Sequence, residues 1–241
     1  MSADEIFARF ERTGNVAVVT MDRPPVNAVS FGFMRSILEN IEAAAASDAS
    51  VVILTSALPG VFCAGADLRE HLDEVEHAER AGLWRRLLED VRTIPVPLIA
   101  AVRGACIGGG IGLVSQCDIR IASPSASFSL PEVRVGRAGG ATHLRRLVSE
   151  GRVRSAMFTG RSIDADTARD WGLVDLIVAE TEWPAEAVKF AEEVATPGRA
   201  ALVLLKQALD ASEDAGTHGY AAEQAVTEAM RRHGIAVTRE A

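Results

Sequence analysis

The stretch "GACIGGGIGL", residues 104–113, carries five glycines within residues 104–112, inside an otherwise apolar run. Glycine is costly in a regular element, so such a cluster points to a place where something comes close to the backbone. The residues before it, "LIAAVRG" (98–104), form a short continuous apolar run, which predicts a strand buried on both faces; a helix is expected to start near Gly109. Backbone N–H groups at a helix start lack intrahelical partners and are available to an anion or a developing oxyanion. Two nucleotide signatures fail here. No register gives G-x-G-x-x-G, because the completing residue is Leu113 or Ser115, and no Lys follows to make a P-loop.

A second glycine-bearing stretch, "GVFCAGADL" (60–68), also follows a buried strand, "VVILTS" (51–56). Two such strand ends in one core can aim two backbone N–H groups at a single carbonyl oxygen, an oxyanion hole built from main chain. The same pattern is compatible with two tight strand-to-helix turns that use small residues for packing.

Around these stretches the chain alternates. "NVAVVTMDRP" (15–24) reads as a strand ending in a Pro turn, and "FGFMRSILENIEAAAASD" places Phe33, Met34, Ile37, Leu38 and Ile41 at helical spacing. "LWRRLLEDVRTI" (83–94) reads as a helix, while "QCDIRIAS" (116–123), "ASFSLPE" (126–132) and "LVDLIVA" (173–179) read as short strands. The rest beyond about residue 139 is mainly helical by pattern. This order predicts an α/β core with parallel pairing, residues 1–190, followed by a helical C-terminal region, 191–241.

Composition narrows the partners. At 241 residues and 48% hydrophobic content the chain buries a sizeable core, and a net charge of −8 argues against a nucleic-acid binder. The N-terminus "MSADEIFARFERTG" has no signal-type apolar region and no stretch has the length of a membrane span, so a cytoplasmic protein is expected. Cys63, Cys106 and Cys117 are odd in number, show no C-x-x-C spacing and are read as reduced core residues.

"FCAGADL", "GACIGGGIGLVSQCDIRIAS" and "ASFSLPEVRVGRAGGATHLRRLV" together resemble the enoyl-CoA hydratase/isomerase (crotonase) superfamily, from about residue 5 to about residue 210. The resemblance implies a spiral of ββα units with a helical C-terminal trimerisation region, acyl-CoA thioester substrates of the kind met in fatty acid metabolism, and homotrimers or hexamers. It implies an oxyanion hole for the thioester enolate at the N–H groups of Ala66 and Gly109. Ala64, Gly65, Asp67, Leu68, Gly108, Gly112, Pro131 and Arg137 are the expected substrate-contacting positions around it. No metal or redox cofactor is expected, since CoA arrives as part of the substrate.

Departures from the family pattern bear on the reaction. Of the two glutamates that flank the reacting carbons in hydratases, the second is present as Glu132, after Pro131, and the first falls on Gly112. Another family acid falls on Gly139 or Gly140. Hydration usually shares its work between two carboxylates, whereas one base can carry a 1,3-proton shift, so Glu132 alone favours double-bond isomerisation or a non-standard hydratase. Decarboxylation or C–C bond hydrolysis, with Arg137 orienting a substrate carboxylate, and a catalytically weak acyl-CoA binding protein are the alternatives. For Glu132 itself the bland alternative is an ion pair with Arg134 or Arg137. Asp67 is expected to fix its loop. His71 and His77 are expected in a solvated loop over the substrate, His143 in a structural role on a helix, and Trp84 and Trp171 in core or interface. The Arg145/Arg146 pair suits CoA phosphates, solvent or a subunit contact.

Overall fold

β-Branched runs that are apolar at every position bury both faces of a strand, and this chain has several. The computed structural model of the chain describes residues 6–212. In it β2 (Val16–Met21), β3 (Val51–Ser56), β5 (Leu98–Val102), β7 (Ile119–Ala122) and β10 (Leu176–Ile177) pair in parallel; β1 (Ala8–Thr13) adds an antiparallel edge. The order is β1-β2-β3-β5-β7-β10. Within β3, Val52 and Leu54 face one core with α1 (Phe31–Ala46) and α2 (Glu74–Thr93). Val51 and Ile53 face the other, against α7 (Ala185–Ala195) and Leu202 of α8 (Arg199–Ser212). The boundary expected at 190/191 falls inside α7; residues 213–241 lie outside the described residues.

A second sheet, β4 (Val61–Cys63), β6 (Ala105–Ile107), β8 (Ser127–Ser129) and β9 (Ile163–Asp164), stands beside the first in that order. The two sheets arise from one repeated turn. β3 runs into β4 and then α2, β5 into β6 and then α3 (Gly109–Val114), so each ββα unit gives its first strand to the large sheet and its second to the small one. The corners pack on each other: a Cβ on Gly104, at φ +73°, would lie 2.3 Å from the Gly60 carbonyl, so only glycine fits.

β1, β4, β6 and β9 are not apparent from the sequence pattern, and β6 interrupts the glycine stretch that was expected to lead from β5 directly into a helix. The three-residue β6 sits within that stretch, too short to announce itself by alternation. α2 is also longer than expected. Asp73 and Glu76 close a reciprocal capping box at its start, which draws His77 out of the expected loop and onto the helix. Among the described residues no helix is long and apolar enough to cross a membrane.

Candidate active site

The two glycine stretches end side by side. Gly65, at φ +79°, has no room for a side chain: a Cβ there would lie 2.9 Å from the Ile107 carbonyl oxygen and 3.4 Å from the Gly109 nitrogen. The backbone of the β4 exit therefore packs directly on the start of α3. Val29 donates to the Gly65 carbonyl at 2.7 Å and accepts from the Asp67 N–H at 3.0 Å. In such a parallel bridge the intervening residue, Ala66, turns its own N–H the opposite way. Gly109 is the first residue of α3, so its N–H has no intrahelical acceptor. Both residues line one cavity of about 260 Å³.

Gly108, at φ +53°, supplies the bend between β6 and α3, and its N–H is held by the Ser129 carbonyl at 2.9 Å. The turn brings the glycine against Glu132, whose Oε1 lies 2.6 Å from where a Cβ on Gly108 would sit. Glu132 opens a short 3₁₀ turn, Glu132–Val135, that follows β8, so the small sheet sets its height relative to Gly109. Its Oε2 is shielded from solvent. Arg134 points elsewhere, donating to the Thr159 carbonyl at 2.8 Å.

Every expected substrate-contacting position except Asp67 lines the cavity: Ala64, Gly65, Leu68, Gly108, Gly112, Pro131 and Arg137, along with Ala66, Gly109 and Glu132. Asp67 braces the loop, accepting from the Arg69 N–H at 3.0 Å and pairing with Arg23 at 2.9 Å. Partial burial opposes its charge, but the Arg69 N–H and the Arg23 guanidinium outweigh that and hold its carboxyl below the usual range.

α2 contributes what the sequence reading did not find. His77, Arg80, Ala81, Trp84 and Leu88 all line the cavity, and their i, i+3, i+4 spacing is the only signal that would have exposed them. Trp84, expected in core or interface, packs against the core and also presents its indole to the glycine helix, 3.5 Å from a Cβ position on Gly109 and 3.3 Å from one on Gly112. Arg80 is tied back, to Glu70 at 3.1 Å and to the Val29 carbonyl at 2.8 Å. His71 is exposed.

His143, on α4 (Ala141–Leu144), is buried, its Nδ1 2.8 Å from the Gln116 amide nitrogen, and it too reaches the cavity wall. Burial, with Arg146 and Arg92 nearby, lowers its pKa to about 4. Arg146 donates to the Ser115 carbonyl at 3.3 Å and Arg145 pairs with Glu150 at 3.4 Å. Cys63 and Cys106 are fully buried; desolvation pushes Cys63 up to about 12 and Cys106 well above its ordinary value, so neither offers a thiolate. Among the described residues no cluster of His, Cys, Asp or Glu could hold a metal ion.

The chain is similar to known proteins in sequence and in fold. A family profile described as enoyl-CoA hydratase/isomerase matches residues 11–235. The chain is 35% identical to a probable mitochondrial enoyl-CoA hydratase 2 of Arabidopsis thaliana, over 80% of this chain and 66% of that protein, so it spans about two thirds of that relative's length. It is 34% identical to a (7aS)-7a-methyl-1,5-dioxo-2,3,5,6,7,7a-hexahydro-1H-indene-carboxyl-CoA hydrolase of Mycobacterium tuberculosis, covering 92% and 91%. The crystal structure of an enoyl-CoA hydratase from Bacillus anthracis superposes with a TM-score of 0.81 at 32% identity, covering 94% and 91%. With two sheets built from ββα turns, and with that match across nearly its whole length, the chain belongs to the enoyl-CoA hydratase/isomerase family of enzymes, on the crotonase fold.

Proposed function

We propose that the protein binds an acyl-CoA thioester with its carbonyl oxygen between the N–H groups of Ala66 and Gly109, and that Glu132 moves a proton at the adjacent carbon. The observation that carries this is the lining itself: among the described residues that line the cavity Glu132 is the only carboxylate, and it lies against the Gly108 turn that leads into the Gly109 N–H. Glu132 takes a proton from C2 of a 3-enoyl thioester, and the C–H electron pair passes into an enolate whose oxygen the two N–H groups hold. The same carboxyl returns the proton at C4, leaving the 2-enoyl isomer. One backbone donor of this kind is worth about 2.7–4 kcal/mol in the transition state. Hydration is disfavoured because Gly112 carries no carboxyl and Trp84 stands where one would extend.

A second reading is hydrolytic C–C cleavage, or decarboxylation, of an acyl group bearing a further carbonyl or carboxylate. It is favoured by Arg137 in the lining and by the relative named as a dioxo-indene carboxyl-CoA hydrolase. Exposed Leu204 and Leu205 on α8 support assembly as a homotrimer or hexamer through the helical C-terminal region.

The test is mass-spectrometric product analysis with 2-enoyl-, 3-enoyl-, oxoacyl- and carboxyacyl-CoA in heavy-oxygen water. Unchanged mass with a shifted double bond is expected. Label at C3 would mean hydration, label in a ring-opened acid or loss of carbon dioxide would favour the second reading, and binding without any conversion would leave an acyl-CoA binding protein.

A further inference from the structure

The direction of the Ala66 N–H is set from the other end of its own peptide unit. The Gly65–Ala66 peptide is planar and trans, so its C=O and N–H point opposite ways and can only turn together. The Gly65 carbonyl accepts from the Val29 N–H at 2.7 Å, so the place of Val29 aims the Ala66 N–H. Val29 is held in turn through its own carbonyl, which accepts from the Asp67 N–H at 3.0 Å and from Arg80 Nη2 at 2.8 Å. Asp67 belongs to the same segment as Ala66 and moves with it. Arg80 comes from α2, a separate element that walls the cavity. The guanidinium is itself fixed: its Nε pairs with Glu70 Oε2 at 3.1 Å. The other oxygen of Glu70 accepts at 3.0 Å from the N–H of Phe31, the first residue of α1, which has no intrahelical acceptor. The Arg80 and Glu70 side chains are only 15% and 20% exposed, so water competes weakly for these bonds.

We propose that Arg80 is a positioning residue: by holding the Val29 carbonyl, with Glu70 fixing its guanidinium, it keeps the Ala66 N–H aimed at the thioester oxygen. This rests on the reading of Ala66 as an oxyanion donor. Arg80 acts through Val29 and the Gly65–Ala66 peptide and touches no reacting atom in this role. A planar guanidinium fork bonds a carboxylate and a carbonyl at once in fixed geometry, which a lysine ammonium does not. Backbone donors stabilise a developing oxyanion because they are already in place before the charge forms. Without Arg80, Val29 is tied only to the segment it is meant to hold, and the peptide is free to turn with it.

The experiment compares wild type, Arg80→Met, Arg80→Lys and Glu70→Gln by two readouts. One is kcat and KM with a 3-enoyl-CoA. The other is the carbonyl stretch of a bound, carbonyl-labelled saturated acyl-CoA, which has no double bond to move, so this readout holds whatever reaction the enzyme carries out. Arg80→Met is expected to lower kcat about 10–100-fold with KM within a few-fold, and to lose much of the shift of the stretch to lower frequency. Arg80→Lys keeps the charge without the fork and is expected to fall between. Glu70→Gln keeps an oxygen for the Phe31 N–H and should show a smaller loss of the same shift; it decides the matter should Arg80→Met not fold. Folded variants with the wild-type stretch and kcat overturn the proposal. A rise in KM with kcat and stretch unchanged overturns it too, since Arg80 would then be a substrate contact. An unshifted stretch in wild type counts against the oxyanion reading itself; a wild-type shift that every variant preserves counts against Arg80 alone.

Discussion

Replacing Gly108 by alanine perturbs the site at its tightest point. The new Cβ would meet Glu132 Oε1 at 2.6 Å, against an ordinary contact of roughly 3.4 Å, so the carboxyl must retreat by roughly 0.5–1 Å. Because the atom in the way is the far end of a flexible side chain, the fold yields easily and the position of the carboxyl does not survive. Misplacing a reacting group by about 1 Å costs about 10²-fold in rate, equivalent to about 2.7 kcal/mol. The backbone adds a separate term: at φ +53° and ψ −112° a residue with a Cβ is strained by about 1–3 kcal/mol. For a chain of this size that lowers Tm by roughly 2–12 °C. We expect kcat/KM for 3-enoyl-CoA isomerisation, followed through the conjugated thioester absorbance, to fall about 100-fold while acyl-CoA affinity stays within a few-fold. A Gly108→Ala enzyme with wild-type turnover would refute the placement of Glu132 as the working group.

Glu132→Gln keeps the shape of the side chain and removes its basicity, so turnover should vanish with acyl-CoA affinity within a few-fold by calorimetry; retained turnover would move the base elsewhere. His143 gives a pH-dependent stability. Its folded pKa of about 4 lies below the ordinary 6.5, so the unfolded chain binds the extra proton first. The stability from keeping it neutral is present above about pH 6.5 and is lost as pH falls toward 4, by up to about 3 kcal/mol. Urea midpoints should drop over that window in wild type and less in His143→Gln, and parallel curves would contradict the assignment. Gly82→Ala, inside α2 with nothing within 4 Å of its Cβ position, should raise stability by about 0.5–1 kcal/mol, measurable as a Tm increase.

Much of this was legible in the sequence. Continuous apolar runs gave β3 and β5, because a strand buried on both faces needs apolar residues on both. The glycines announced a close approach, and the structure gives the partners: the Ile107 carbonyl for Gly65 and the Glu132 carboxyl for Gly108. What was hidden depends on contacts distant in sequence. β4 and β6 have three residues each, too few for a period, and are defined by pairing with each other and with β8. Trp84 lies 25 residues from Gly109, and nothing local to "AGLWRR" tells whether its indole meets core, partner or cavity. The vacancy at Gly112 was readable as a missing carboxyl; that Trp84 stands beside it was not. Introducing glutamate at 112 alone, which from sequence would restore hydration, meets Trp84 at 3.3 Å before the carboxyl begins.

The central claim is that the Ala66 and Gly109 N–H groups hold a thioester carbonyl, and vibrational spectroscopy tests it directly. Isotope-edited difference spectra of a carbonyl-labelled acyl-CoA bound to Glu132→Gln, in which the substrate persists unreacted, report the strength of the C=O bond. Two convergent donors weaken that bond, so the account predicts a shift of the carbonyl stretch to lower frequency on binding. An unshifted stretch in a saturated complex would mean that the oxygen sits elsewhere and would contradict the account.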